Sequence, residues 1–248
     1  MSTDSSTAER FADLENDRHL LGRSSTAERV AAILRDRITV GQLPPGTRLA
    51  EEAIGEALGV SRNTLREAFR LLAHERLLVH ELNRGVFVRE LSERDVVELY
   101  RVRRMIETAA LRALGEGDSA APELDPGDRA ADDPFAKVAE AVLDAEQAAE
   151  QGRWQDVGTA NIRFHRALVE LAGSSRIEEF MAQILAELRL VFHVMHDPRR
   201  FHEPYIARNR QVLEALQAGD VAGAEELLKA YLDDAERQLV QAYAEQHT

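Results

Sequence analysis

The sequence has no cysteine, and only 5% of its 248 residues are aromatic. Without cysteine, a disulfide framework and a thiolate metal site are both excluded. No run approaches the roughly 20 apolar residues that span a bilayer, and residues 1–23 lack the basic start and apolar segment of a secretion signal. Nucleophile-elbow, phosphate-loop and zinc-protease motifs are also missing. We therefore expect a cytoplasmic protein that is not an enzyme.

Negative charge is abundant but unevenly distributed. The formal net charge is −13, which argues against nucleic-acid binding by most of the chain. Residues 24–91 differ, because they carry ten basic and nine acidic residues, whereas residues 92–248 carry 18 and 30. This asymmetry indicates that the two parts have different tasks.

Residues 24–91 have the pattern of a winged helix-turn-helix. Ser25 and Glu28 have capping-box spacing, and a helical apolar stripe follows at Val30, Ile33, Leu34 and Ile38. A second helix is predicted over 50–58, with one face formed by Ala53, Ile54, Ala57 and Leu58. A third begins after Ser61, which can cap it, and buries the stripe Leu65, Ala68, Phe69 and Leu72. Two apolar runs then flank a hairpin turn at Asn83, Arg84 and Gly85.

The pattern from Ser92 onward is helical almost throughout. Helices are predicted over about 135–151, 154–172, 175–196, 203–217 and 220–245. Residues 115–134 are rich in Gly, Pro and Asp and predict a loop. The predicted fold is mainly α: an N-terminal winged helix-turn-helix followed by an antiparallel all-α helical bundle.

The stretch GVSRNTLREAFR at 59–70 predicts the contact with DNA. A recognition helix enters the major groove with its first residues against the bases. That role falls to Arg62, Asn63, Thr64 and Arg66. Two further residues, Arg48 and Ser61, suit phosphate groups, which set register. Arg84 and Gly85 would form the tip of the wing, near the minor groove or the backbone.

These residues resemble the N-terminal domain of the GntR family of bacterial transcription regulators. The resemblance rests on PPGTRLAEEAIGEALGVSRNTLREAFRLLAHERLLV and the following NRGVFV, across roughly residues 26–90. Glu52 falls where some members carry a DNA-contacting arginine, so that contact is not transferred to this chain.

The helical half resembles the FCD effector domain of one branch of that family. Three stretches carry the resemblance: ELYRVRRMIETAALRAL, NIRFHRALVELAGS and RNRQVLEALQAGDVAGAEELLKAYL. Many FCD domains hold a divalent metal with one Asp and three His. The matched positions here are Asn161, His165, Asn209 and Tyr231, so one ligand type of four is kept. We therefore predict no resident metal, with His165 as the one matching ligand if a metal does bind.

The same four residues, together with Arg103 on the opening helix, are the predicted effector-binding set. Buried polar groups need partners, and arginine forms two-point bonds to carboxylates. We expect a small organic acid as the effector; a collapsed polar network without a ligand is the alternative. His193, His196 and His202 could form a metal cluster, but the resemblance places no ligand there, and we interpret them as core or solvated histidines.

The sequence thus predicts a polar tail at 1–23, a DNA-binding winged-helix domain at 24–91, and an effector-binding and dimerisation domain at 92–248. The predicted function is a ligand-responsive transcription regulator that binds a pseudo-palindromic double-stranded operator as a homodimer, with no membrane partner and no cofactor. A metal-responsive regulator of the same family and a winged helix that binds protein instead of DNA are the alternatives.

Overall fold

The computed structural model describes residues 25–39, 41–115, 133–192 and 197–246. The predicted tail at 1–23 and most of the predicted loop at 115–134 lie outside the described residues. Within the described ranges the helices are α1 (Thr26–Thr39), α2 (Glu51–Leu58), α3 (Arg62–His74), α4 (Glu93–Gly115), α5 (Ala136–Glu150), α6 (Trp154–Glu170), α7 (Ser175–Phe192), α8 (Pro198–Gln217) and α9 (Val221–Gln246). The strands are β1 (Arg48–Leu49), β2 (Leu78–Glu81) and β3 (Gly85–Val88).

The winged-helix domain forms as predicted, because its local signals agree with one another. The capping box starts α1: the Glu28 carboxylate accepts from the Ser25 N–H at 2.7 Å, and the Ser25 hydroxyl accepts from the Glu28 N–H. Gly59 ends α2 with a left-handed φ of 63°, a conformation in which a side chain would be strained. The predicted stripe of α3 is confirmed, since Leu65, Ala68, Phe69 and Leu72 are all buried.

The sheet has three antiparallel strands in the order β1-β3-β2. The hairpin of β2 and β3 was predicted, but β1 was not, because two residues show no periodicity. Three predicted core positions are wrong: Ile33, Ala53 and Ala57 are exposed. The short α2 packs through Ile54 and Leu58 alone, so its alanines remain at the surface.

The remaining six described helices form the predicted bundle. Helix α4 packs closely on α9, α5 on α6, and α8 on both α9 and α6. The predicted start of α8 at residue 203 is wrong: the helix begins at Pro198. The Asp197 side chain caps it by accepting from the N–H groups of Arg199 and Arg200, and proline suits a first-turn position. Positions 193–196, predicted as the end of the preceding helix, lie outside the described residues.

The two parts of the chain meet through charged as well as apolar side chains. Glu187 of α7 is only 2% exposed. Its carboxylate forms ion pairs with Arg89, at 2.8 Å, and with Arg76, at 3.6 Å. Burial raises the pKa of Glu187, although both arginines act to lower it. Arg89 also pairs with Asp95, at 3.0 Å. The helical half therefore holds the base of the wing with a buried carboxylate.

None of the helices in the described ranges combines the length and the apolar character that a membrane span requires.

Candidate DNA interface and effector pocket

The start of α3 exposes three of the four predicted base-contacting residues, and the fourth, Thr64, is half-buried. Ser61 caps the helix by accepting from the Thr64 N–H at 3.1 Å, and the two hydroxyls are 2.8 Å apart. Arg62, Asn63 and Arg66 are exposed, opposite the buried stripe. The cap thus fixes the end of the helix whose exposed side chains can reach base edges.

Two acidic residues of α2 lie against the arginines of this surface. Arg66 pairs with Glu51 at 3.0 Å and Arg62 with Glu52 at 3.4 Å. The Arg62 and Glu52 side chains are 73% and 77% exposed, and exposed pairs of this kind contribute about 0–1 kcal/mol. DNA can therefore displace them at small cost.

The wing carries two further cations. Arg84 is exposed at the hairpin turn, pairs with Glu81, and lies over the Phe87 ring at 5.5 Å. Gly85 is the first residue of β3 and not part of the turn itself. A Cβ at Gly85 would lie 3.4 Å from Arg48 Nε, so the glycine leaves space for that arginine. Arg48 and the wing are therefore neighbours on one surface.

A buried ionic cluster occupies the centre of the bundle. Arg103 Nε donates to Glu107 at 2.8 Å, and His165 Nδ1 lies 2.7 Å from the other oxygen of Glu107. Exposure is 1% for Arg103, 0% for Glu107 and 1% for His165. Burial by itself would raise the pKa of Glu107, but the charge of Arg103, helped by His165, lowers it, so the carboxylate stays ionised. The pKa of His165 is lowered, mainly by burial.

The other three predicted pocket residues form a network beside this cluster. Asn161 Oδ1 accepts from Asn209 Nδ2 and from the Tyr231 hydroxyl, both at 2.8 Å. The Tyr231 ring meets the His165 ring edge-on, with centroids 5.0 Å apart. All five predicted effector residues are therefore brought together, from helices α4, α6, α8 and α9.

Three buried polar atoms of this site make no hydrogen bond within the described residues: Arg103 Nη2, His165 Nε2 and Asn209 Oδ1. Their characters differ. The guanidinium nitrogen is a donor. His165 is neutral and directs Nδ1–H at the Glu107 carboxylate, so its Nε2 is an acceptor, as is the asparagine oxygen. A buried polar group without a partner costs about 1–3 kcal/mol, so the site is suited to a ligand with complementary groups.

The donor set does not fit a metal of the kind that many FCD domains hold. His165 has a free Nε2 and a carboxylate on Nδ1, as metal-bound histidines often do. The neighbours are unsuitable: Asn161 Oδ1 already accepts two hydrogen bonds, and burial raises the pKa of Tyr231 well above its usual value. Across the described ranges, no three His, Cys, Asp or Glu residues cluster as metal ligands would.

Glu107 is the residue of this site that the sequence reasoning missed. It lies four positions after Arg103, on the same face of α4, and it belongs to the FCD-like stretch already quoted, so the spacing could have identified it. The histidine interpretation is confirmed for His202, which is 4% exposed in the core. His193 and His196 lie outside the described residues.

An exposed, capped recognition helix with a basic wing, joined to a helical bundle with a polar centre, defines a class of protein: a bacterial regulator with a winged helix and an effector domain. Residues 26–88 match the bacterial regulatory proteins of the gntR family, and residues 98–234 match the FCD domain. The chain belongs to the GntR family and carries an FCD domain. The matched families and relatives are transcription regulators and not enzymes.

Similar proteins agree with this assignment. A solved structure from Rhodococcus sp. RHA1, described as a GntR transcriptional regulator, is 48% identical, covers 89% of this chain and all of its own, and superposes with a TM-score of 0.78. A regulator of the helix-turn-helix type from Streptomyces ambofaciens is 28% identical, over 79% of each chain. A protein from Paenarthrobacter nicotinovorans, described as a probable D-xylose utilization operon transcriptional repressor, is 28% identical, over 75% of this chain and 76% of its own.

Proposed function

We propose that this GntR-family regulator binds a pseudo-palindromic operator as a homodimer and responds to a small hydroxy acid held in the buried centre of its bundle. Residues 24–91 are the DNA-binding domain in this proposal, and residues 92–248 bind the effector and the second subunit. A cytoplasmic location, where operator DNA is found, belongs to the same proposal. The DNA and effector parts rest on different observations and have separate tests.

The capped first turn of α3 supports the DNA part. Arg62, Asn63, Thr64 and Arg66 lie where a helix in the major groove meets base edges, and a bidentate contact from arginine or asparagine discriminates by about 1–3 kcal/mol. Ser61 and Arg48 would position the domain on phosphates, and Arg84 and Gly85 would lie near the minor groove or the backbone. Glu51 and Glu52 reduce the positive charge of this face, which disfavours binding to arbitrary sequences.

An operator fragment selected from random duplexes provides the test. Arg62→Ala or Arg66→Ala should weaken binding and relax preference at one base position, in a gel-shift titration against single-base variants. Arg70→Ala is the matched control, because Arg70 is exposed further along the same helix and pairs with Glu67 at 3.0 Å. Unchanged selectivity in both variants would contradict the assignment. Affinity that does not fall with added salt would favour the protein-binding alternative.

The three unpartnered atoms in the bundle carry the effector part. Arg103 Nη2 can donate to a carboxylate, while His165 Nε2 and Asn209 Oδ1 can accept from a hydroxyl. Asn161 accepts from both Asn209 and Tyr231, and this hydrogen bonding keeps Asn209 in place. A carboxylate with two nearby hydroxyls, one for each acceptor, matches this set of donors and acceptors, and no metal is needed to hold it.

Calorimetric titration with D-gluconate and L-lactate, with acetate as the acid that lacks a hydroxyl, tests this part. Binding of a hydroxy acid should be stronger than that of acetate and should weaken in Arg103→Lys, which keeps a cation beside Glu107 but loses the Nη2 donor. Arg104→Gln is the control, since the neighbouring Arg104 pairs outward with Asp233 and Glu236. Equal binding by wild type and Arg103→Lys would remove Arg103 from the site.

A further inference from the structure

A cavity lies away from the central polar cluster, where the bundle meets the winged-helix domain. Its volume is about 210 Å³, which is below the range typical of sites for drug-sized ligands. It is lined by the first turns of α6 and α8, by the last turn of α7, and by Thr39, the last residue of α1. An occupant would therefore touch both parts of the chain.

Arg189 places a cation in this cavity. No carboxylate of the described residues forms an ion pair with it. Its one hydrogen bond there runs from Nη1 to the Thr159 hydroxyl, at 3.3 Å. Most other arginines of the bundle hold a carboxylate within 4 Å, for example Arg104, Arg208 and Arg210. Burial lowers the pKa of Arg189 and nearby Arg163 lowers it further, while the charge of Asp36, which forms no ion pair with it, acts in the opposite direction. A half-buried cation of this kind is stabilised by an anion that enters the cavity.

His202 provides a second, independent indication of a ligand. It lines the cavity and is 4% exposed, and its Nδ1 makes no hydrogen bond within the described residues. Its Nε2 lies at the wall formed by Gly158, where a Cβ would come within 2.8 Å of that nitrogen. Burial lowers the pKa of His202 to about 4, so the ring is neutral at pH 7. A neutral imidazole carries one N–H, on either Nδ1 or Nε2, and that N–H is a donor for an anion.

The wall also contains two large aromatic side chains. Trp154 and Phe192 line the cavity beside Arg189, and the Phe192 ring packs edge-on against His202 at 5.0 Å. The carboxylate of Asp156 also lines the cavity, but it pairs with Arg153 and is 53% exposed. The cavity therefore combines one unpaired cation, a neutral donor and flat apolar surfaces.

We propose that this cavity binds a small aromatic carboxylate. The carboxylate accepts from Arg189 and from the ring N–H of His202, while Thr159 holds the guanidinium in place. The aromatic ring packs against Trp154 and Phe192. This site is distinct from the proposed effector pocket, and its occupancy does not depend on what that pocket binds.

Trp154 makes the test direct, because it is the only tryptophan in the chain and lies in the wall. Titration of the full-length protein with benzoate to about 10 mM should change the tryptophan fluorescence in a saturable way. Benzamide, which has the same ring without the charge, should bind at least about tenfold more weakly, and Arg189→Gln should cost benzoate about tenfold or more. Thr159→Val should weaken benzoate binding less than Arg189→Gln does.

Two variants locate the binding. Arg166→Gln is the matched control on α6, because Arg166 pairs with Glu170 at 3.0 Å and lines a different cavity; it should bind benzoate as wild type does. Asn209→Ala should also bind normally, since Asn209 belongs to the central network. The proposal is overturned if benzoate gives no saturable change, if wild type binds benzamide as tightly as benzoate, or if Arg189→Gln binds benzoate as tightly as wild type does. It is also overturned if Asn209→Ala is the one variant that abolishes benzoate binding. Circular dichroism melts verify that each variant is folded.

Discussion

Replacing Glu107 by Gln removes the negative charge from the buried cluster and leaves its cation unmatched. Arg103 and Glu107 are 1% and 0% exposed, and their side chains meet at 2.8 Å. Breaking such a pair from one side costs about 3–5 kcal/mol, because the remaining charge is buried without compensation. Glutamine keeps the shape and one acceptor, so we expect the lower end, about 3 kcal/mol. For a chain of this size that lowers Tm by about 6–12 °C.

Urea unfolding followed by circular dichroism measures this cost, at one fixed protomer concentration because dimerisation would add to the apparent stability. The matched control is Glu98→Gln on the same helix, whose exposed pair with Arg101 spans 3.7 Å and should matter by about 1 kcal/mol or less. The double variant Arg103→Met/Glu107→Gln should lose far less than the sum of its single changes, since no buried charge is left unpaired. Additive losses, or a Glu107→Gln cost below about 1 kcal/mol, would refute the reasoning.

The same variant has a pH signature. The folded-state pKa of Glu107 is lowered, so its ionised form stabilises the fold above the unfolded-state pKa of about 4.3. That contribution is lost as the pH falls through the lowered folded-state value. The stability difference between wild type and Glu107→Gln should therefore be constant near neutral pH and shrink in acid. A difference that grows as the pH falls would have the wrong sign.

Three further expectations concern the winged-helix domain and its contact with the bundle. Ser61→Ala removes the cap of the recognition helix and should cost about 1 kcal/mol in urea unfolding; no change would mean that the cap is dispensable. Glu51→Gln frees Arg66 and should raise affinity for non-operator DNA in low salt, by anisotropy, but not in high salt. Arg89→Ala leaves Glu187 buried with only the longer Arg76 pair and should destabilise more than Glu187→Gln does; the reverse order would exclude a buried-charge penalty.

The sequence predicted the DNA-facing part well because its signals are local. A cap and a stripe of period 3.6 act within one or two turns, and both were found where the pattern placed them. Strand β1 escaped prediction because its two residues are ordered by pairing with β3 and not by any pattern of their own. The exposed Ala53 and Ala57 show the limit of a small apolar face: alanine suits a surface helix as well as a core.

The sequence grouped the proposed effector residues but did not predict the contacts between them. The resemblance identified Arg103, Asn161, His165, Asn209 and Tyr231 as one set, and the structure brings them together. The Glu107–His165 contact joins residues 58 positions apart, and Arg89 and Glu187 are 98 apart. Spacing rules for helices and strands do not predict contacts between residues so far apart in the sequence. Packing decides which titratable groups meet, and so decides their protonation.

The charge of Glu107 affects which kind of effector the proposed central site would favour. With Arg103 already matched by Glu107 and His165 neutral, the buried cluster is close to electrically neutral before a ligand enters. A simple acid would then bring an uncompensated negative charge into a site shielded from water, which is costly. A ligand that also donates hydrogen bonds to His165 Nε2 and Asn209 Oδ1 removes two unsatisfied acceptors as it binds, and each is worth about 1–3 kcal/mol. A single hydroxyl donates to only one of these acceptors, so in the proposed site a hydroxy acid needs two hydroxyls to satisfy both.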